Sequence, residues 1–266
     1  LPVLGLSLGA FFQECGRVAS QSALKRWSRR MRLAWYLRRH GGAFDFHGIA
    51  VQVPDDISFA VKKALMHRRY EEPERQLIAR FMRSDLPVIE LGGSLGIVSA
   101  FVNQRLAAGL PYTIVEANPR LIDICRANAA TTGKGERIEV IHAACAYHAS
   151  SISFMASDNI HANRIAQDGG TNTITVPAVT LMDLVTRRVG MSAYTLIMDI
   201  EGAEWDVFEN DREALARCAL VIAEVHPFFF EEQGRRLDRF MAMVEAAGFK
   251  VVGQVGNSYA FQRAER

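Results

Sequence analysis

Residues 88–96 read Val-Ile-Glu-Leu-Gly-Gly-Ser-Leu-Gly, an apolar strand that ends in a carboxylate and then a glycine turn that feeds a helix. A second apolar stretch, Tyr112 to Val115, ends in another acid, Glu116, 24 positions after Gly92. In a parallel sheet with helical crossovers, both acids stand at the carboxyl ends of neighbouring strands, where nucleotide-sized ligands bind. On this reading Glu90 points up from its strand, and Gly92 and Gly96 let the turn come close to a ligand. Glu116 then accepts hydrogen bonds from ribose hydroxyls.

The glycine spacing narrows the ligand. A dinucleotide turn needs Gly-x-Gly-x-x-Gly so that a pyrophosphate can reach the helix N-terminus. Counted from Gly92, the second and third of those positions hold Ser94 and Ile97, so the pattern fails twice. What fits is acid-x-Gly-x-x-x-Gly (Glu90, Gly92, Gly96), the turn used to hold S-adenosylmethionine. That molecule has no phosphate but carries an ammonium and a sulfonium, so a carboxylate at a strand end favours it. The plain alternative is a buried strand with a glycine helix entry, and Glu116 counts against it.

The chain has 266 residues and ordinary apolar and charged fractions, enough for one large core. Cys15, Cys125, Cys145 and Cys218 are scattered without a Cys-x-x-Cys pair, which predicts reduced, packed thiols, a cytoplasmic setting and no zinc site. Residues 1–83 hold 15 Lys and Arg against 7 acids, whereas residues 84–266 hold 16 against 22. The basic excess is concentrated in Lys25, Arg26, Arg29, Arg30, Arg32, Arg38 and Arg39, interleaved with Trp27, Met31, Ala34 and Trp35. That spacing predicts an amphipathic helix in an N-terminal extension over 1–42, its aromatic stripe laid on the main domain and its basic rim in solvent. Peripheral contact with an anionic membrane surface or an acidic glycan is the alternative. Nucleic acid is not expected, because no recognition motif accompanies the charges. Leu1 to Phe12 is too short to span a bilayer and reads as a docking segment.

From residue 43 to 266 the chain alternates strand and helix. A hairpin is expected at 43–53, followed by helix 74–82, strand 88–91, helix 97–108, strand 112–116, helix 119–130 and strand 138–142. An insertion at 150–178 interrupts the rhythm, with strand-like Ser151 to Phe154 and Thr173 to Ala178 flanking a polar stretch from Ala156 to Asn172. It resumes with helix 180–188, strand 194–200, helix 203–216, strand 219–225, helix 229–247 and a closing hairpin. Repeated βα units imply a mostly parallel sheet with helices on both faces, and the hairpin implies one antiparallel strand at its edge.

Two further strands end in ionisable groups. Tyr194 to Glu204 carries Asp199, Glu201 and Glu204, and Leu220 to Pro227 carries Glu224 and His226. Both groups should face the same crevice as Glu90 and Glu116. Glu204 can equally serve as a first-turn acid on a helix dipole.

In order, these segments resemble the FkbM-type family of S-adenosylmethionine-dependent methyltransferases. The resemblance rests on Tyr70-Glu71 with Glu74, VIELGGSLG, IVEANP at 114–119 with Asn128, VTLMDL at 179–184, DIEGAEWDVF at 199–208 and AEVHP at 223–227. It implies a seven-stranded Rossmann-like sheet and methylation of a hydroxyl on a saccharide, glycolipid or secondary metabolite. Ser94 stands where an asparagine is common, Glu90 where aspartate is frequent, and Ile197 where the family often carries lysine.

Motifs and resemblance together assign cofactor contacts to Tyr70, Glu71, Glu90, Gly92, Gly93, Ser94, Gly96, Glu116, Ala117, Asn118 and Asp199. Ala143 and Ala144 are placed beside the adenine. Catalytic work falls to His226, Asp199, Glu201 and Glu224. His226 is the first candidate for a base that takes the acceptor's proton, since its pKa suits the task, and Asp199 is the second. A divalent ion on Asp199, Glu201 and Glu224 is conceivable but not favoured, because no ligand set can be assembled from spacing. Acceptor selection is expected in the insertion, through Asp158, Asn159, His161 and Arg164, together with the basic N-terminal segment. Two rivals stay open: an NAD-dependent oxidoreductase, disfavoured by the failed glycine pattern, and a non-catalytic adaptor that keeps the fold.

Overall fold

The computed structural model of the protein describes residues 27–132, 137–155, 173–189 and 192–264. The expectations for Leu1 to Phe12, Cys15, Lys25 and Arg26, and for Asp158, Asn159, His161 and Arg164, lie outside the described residues.

Five apolar runs form the parallel heart of a seven-stranded sheet: β3 (Val88–Leu91), β4 (Tyr112–Glu116), β5 (Ile138–His142), β9 (Tyr194–Met198) and β10 (Cys218–Glu224). The closing hairpin adds β11 (Phe249–Val255) and β12 (Ser258–Arg263). Strand order is β11-β12-β10-β9-β3-β4-β5. The antiparallel strand is therefore not at the edge, as the hairpin implied. β12 pairs antiparallel with both β10 and β11, so it is inserted one place in from the end. Chain order cannot show this, because either hairpin strand satisfies the β10 edge.

Side-chain alternation divides the core. Val88, Tyr112, Ile114, Ile197 and Ile222 face one layer; Ile89, Leu91, Val115, Leu196, Met198 and Val221 face the other. The first layer is covered by α3 (Glu72–Phe81), α4 (Ile97–Arg105) and α5 (Ile122–Ala129), with a hairpin of β1 (Phe44–Phe46) and β2 (Ile49–Val51). The second is covered by α6 (Leu181–Leu184), α7 (Glu204–Asn210), α8 (Arg212–Leu215) and α10 (Leu237–Ala246). A small satellite sheet runs β6 (Ala144–Cys145), β8 (Thr173–Val179), β7 (Ser151–Met155).

Several expected helices are shorter or broken. The run 203–216 divides at Asp211, whose carboxylate accepts the backbone N–H groups of Leu181 and Met182 and so leaves the helical path. The run 229–247 divides into α9 (Pro227–Glu232) and α10, with Gly234 at φ 68° between them. Helix α2 (Phe59–Met66), capped by Ser58, was not expected.

The basic helix does form, over 27–39 (α1), but its packed face is the reverse of the expected one. Leu33, Tyr36 and Leu37 lie against the core, and Tyr36 stacks on Phe44 and accepts the Asp45 N–H at 3.0 Å. Trp27, Met31 and Trp35 are 62%, 52% and 64% exposed. The helix carries two apolar faces, and the one whose tyrosine finds both a ring and a hydrogen-bond partner wins.

Candidate active site

The glycine turn lies between β3 and α4. Its Gly92 and Gly93 N–H groups donate to the Val115 carbonyl at 2.9 and 3.1 Å, tying the turn to the end of β4. Protein packing also requires these glycines. A Cβ on Gly92 would stand 1.9 Å from the Asp199 carbonyl oxygen, and one on Gly96 2.4 Å from that of Cys125. On Gly93 it would meet Ile114 at 2.4 Å. Gly92 and Gly96 also hold φ of 91° and 71°.

Ser94 takes φ 46° without being glycine. Its N–H donates to Glu116 Oε2 at 2.6 Å, while Glu116 Oε1 accepts the Asn118 N–H at 2.6 Å. Glu116 thus braces the turn to the loop after β4, in addition to whatever else it can accept. Asn118 in turn accepts the Arg120 N–H, and the Ala143 N–H donates to the Glu116 carbonyl. Ala143 and Ala144 are buried beside Glu116, and Ala117 is half-buried. His142 Nε2 lies 3.1 Å from the Ala117 carbonyl oxygen.

Glu90 does not point up into the crevice. Position 90 falls on the α4 side of β3, where its oxygens accept from Ser99 Oγ at 3.0 Å and from the Tyr112 hydroxyl, and 3% of the residue is exposed. Burial raises its carboxyl pKa to about 7, against the opposing pull of those two hydroxyls.

Opposite the turn stand Tyr70 and Glu71. Glu71 is left-handed at φ 44° and precedes α3, which has a proline in its first turn. Burial, then the nearby Asp199 charge, raises the Glu71 carboxyl pKa well above the ordinary range. Tyr70 is buried with its hydroxyl toward Glu71 and Ser94. Glu74 is buried and accepts from Ser258 Oγ, joining α3 to β12.

β9 and β10 supply the remaining groups. The Asp199 N–H extends the pairing of β9 with β3 by donating to Leu91 O at 3.0 Å. Its side chain is one-third exposed, yet Oδ1 is enclosed and finds no hydrogen-bond partner among the described residues. Burial and the Glu224 charge raise the Asp199 pKa, with His226 pulling it down. Glu201 is left-handed at φ 52°. Gly202 follows at φ 99°, where a Cβ would meet Phe229 at 2.8 Å.

His226 sits at the centre. Its Nδ1 lies 3.1 Å from Glu204 Oε1, and its Nε2 3.6 Å from Asp199 Oδ1 and 3.8 Å from Glu201 Oε2. Burial works against the imidazolium, but the Glu204 hydrogen bond and the three surrounding carboxylates outweigh it and raise the pKa to about 9. Glu204 is 0% exposed and also accepts the Ile200 N–H at 3.1 Å. Of its two possible roles, helix-dipole acid or crevice group, the structure makes Glu204 the partner of His226. Asp199, Glu224 and His226 each present one ligand atom within 4.8 Å of the others, a set that could accept a divalent ion and differs from the sequence-derived trio by His226 for Glu201.

Asn128, a member of the family motif, has a structural role that its spacing does not reveal. It accepts the Gln52 N–H and donates to the carbonyls of Gln52 and Leu95, stapling the β1–β2 hairpin to the glycine turn. Cys125, Cys145 and Cys218 are buried, and burial pushes the Cys145 and Cys218 thiols up to about 12, so they pack rather than react.

No curated protein matches the chain by sequence. Among solved structures it is distantly similar to the O-methyltransferase TomG from Streptomyces achromogenes in complex with SAM, at 15% identity over 80% of this chain and 92% of that chain, TM-score 0.45. It is similar to the O-methyltransferase from Bacillus cereus in complex with SAH at 14% identity, 71% and 79% coverage and TM-score 0.43. The METTL16 methyltransferase domain gives 12%, 89% and 80%, and 0.49. The model of the methyltransferase FkbM domain matches residues 94–251, more than half of the chain, beginning within the turn at Ser94 and including Glu116, Asp199 and His226. The chain belongs to the FkbM methyltransferase family.

Proposed function

We propose that the chain transfers a methyl group from S-adenosylmethionine to a hydroxyl oxygen of a saccharide, glycolipid or secondary metabolite. One observation carries this reading. Three of the six non-glycine residues held in the left-handed region among the described residues, Glu71, Ser94 and Glu201, converge with Asp199 and His226 at the carboxyl ends of β3, β9 and β10. Such backbone costs about 1–3 kcal/mol each and gathers where geometry serves a ligand.

The residues suit this cofactor. The Asp199 charge raises the Glu71 pKa, Glu224 raises that of Asp199, His226 is the cation Asp199 meets, and the enclosed Asp199 Oδ1 lacks a donor among the described residues. An ammonium beside them would relieve the repulsion and fill the missing hydrogen bond. Tyr70, Glu71 and Asp199 are the residues to hold the methionine end, Glu116 the ribose, and Ala117, Asn118, Ala143 and Ala144 the adenine side. When bound, S-adenosylmethionine supplies an electrophilic methyl carbon on a positively charged sulfur.

The chain's own contribution is alignment and proton removal. Holding an acceptor oxygen in line is worth roughly 7–11 kcal/mol in favourable cases. His226 Nε2 takes the hydroxyl proton as the oxygen attacks, a contribution of about 10²–10⁴-fold. Glu204, fixed by the Ile200 N–H, holds Nδ1 so that Nε2 faces the Asp199 side of the crevice.

Calorimetric titration with S-adenosylmethionine and with NAD, followed by mass spectrometry of an acceptor panel, tests the reading. Binding of the first alone and a gain of one methyl on a hydroxyl are expected. NAD binding, or no binding of either, would turn the reading toward the oxidoreductase or the adaptor.

A further inference from the structure

Helix α1 carries its second apolar face into solvent. At about 100° per residue, Trp27, Met31 and Trp35 fall within one arc of roughly 80°, on the side away from Leu33, Tyr36 and Leu37. Arg38 lies within that arc, Arg32 and Arg39 border it on one flank, and Arg30 lies on the other. All four arginines are exposed, and the Arg39 guanidinium sits 5.7 Å from the centre of the Trp35 ring. Residues 27–44 contain five arginines and no acid. The opposite face is already anchored, so this one is unpartnered among the described residues.

We infer that α1 docks this protein on an anionic lipid bilayer, lying in the plane of the interface with Trp27, Met31 and Trp35 inserted. Tryptophan at a helix surface flanked by arginine is the chemistry of the headgroup region. The indoles take the acyl boundary while the guanidinium groups reach anionic phosphates on either side. Among the described residues no helix is long and apolar enough to cross a membrane. A second copy packed face to face would bring like charges together, which disfavours self-association through this surface. A nucleic acid would meet arginines interrupted by a bulky apolar ridge. The inference is independent of which acceptor is methylated.

The full chain is sedimented with vesicles of phosphatidylcholine alone and of phosphatidylcholine with phosphatidylglycerol in equal parts, at low and high salt. Tryptophan emission is recorded in parallel; the third tryptophan, Trp205, is buried and serves as an internal reference. Binding at least tenfold tighter to the anionic vesicles is expected, weakened by salt and accompanied by a blue shift. The triple variant W27S/M31S/W35S should lose the blue shift and most of the binding, and R32E/R38E/R39E should lose the preference for anionic lipid. Circular dichroism guards against unfolding, which neither outward-facing set should cause. No partition onto anionic vesicles would overturn the inference, as would equal binding to both compositions. So would a dimer dispersed by the triple variant, or Trp27 and Trp35 already shielded from acrylamide without vesicles, which would assign the face to residues 1–26 or another cover. Binding of duplex DNA without vesicle binding would overturn it in favour of nucleic acid.

Discussion

The Nδ1 of His226 lies 3.1 Å from Oε1 of Glu204, a carboxylate with no solvent exposure that opens helix α7. The pair links the start of α9 to the start of α7 and sets the direction of Nε2. It also sets the proton affinity of the imidazole.

A pH profile tests this coupling. His226 has its pKa raised to about 9, so in the ligand-free protein it is mostly protonated at neutral pH and gains base capacity as pH rises. kcat/KM, which reports the free enzyme, should climb through neutral pH and level near pH 9. Glu204→Gln removes the charge that favours the imidazolium and should move that limb down toward the ordinary histidine range. His226→Ala should abolish the limb, lower kcat by about 10²–10⁴-fold and leave cofactor affinity within a few-fold. An unmoved limb in Glu204→Gln would remove Glu204 from the mechanism.

Chelation is expected to leave the methyl-transfer rate unchanged, because the same Nε2 cannot both take a proton and bind an ion. Loss of rate in EDTA with recovery in Mg2+ or Mn2+ would instead assign Asp199, Glu224 and His226 to a metal.

Ser94→Asn should stabilise the protein. Ser94 holds φ 46°, and asparagine tolerates that region far better than serine does. A gain of about 0.5–1 kcal/mol in denaturant unfolding is expected, on the scale of favourable backbone substitutions. Gly92→Ala should do the reverse and by more, since its Cβ would collide with the Asp199 carbonyl oxygen.

Glu116→Ala strips the acceptor from the Ser94 and Asn118 N–H groups, both part of the same brace. Leaving buried donors unpaired costs about 1–3 kcal/mol of stability, measurable in the ligand-free protein. A loss confined to cofactor affinity, with unfolding unchanged, would contradict the bracing role.

Glu90 gives stability a pH dependence of its own. Its carboxyl titrates at about 7 in the fold against an ordinary 4.5, because burial opposes the charge. Between those values the folded state binds more protons than the unfolded one, so the Glu90 contribution falls as pH rises from about 4.5 to 7. Glu90→Gln keeps an acceptor for Ser99 and Tyr112 and should flatten that slope in chemical unfolding curves. An unchanged slope would place the charge elsewhere.

The amino-acid sequence determined the strands and their ends. VIEL, YTIVE and YTLIM are apolar runs long enough to be buried on both faces, and the polar residues that carry or follow them fall at carboxyl termini by chain direction alone. The glycines at 92, 93 and 96 were equally legible as a turn, though not the reason for them. The packing reason is their close approach to the Asp199 carbonyl oxygen, Ile114 and Cys125, contacts more than twenty residues away. Three other matters needed the tertiary structure: the rotation of Glu90 onto the α4 side, the pairing of Glu204 with His226, and the choice between two apolar faces of α1. Periodicity and end-residues are local properties, set by a few neighbouring side chains. Which face is covered, and which of several acids meets a histidine, depends on what the rest of the chain brings within a few ångströms.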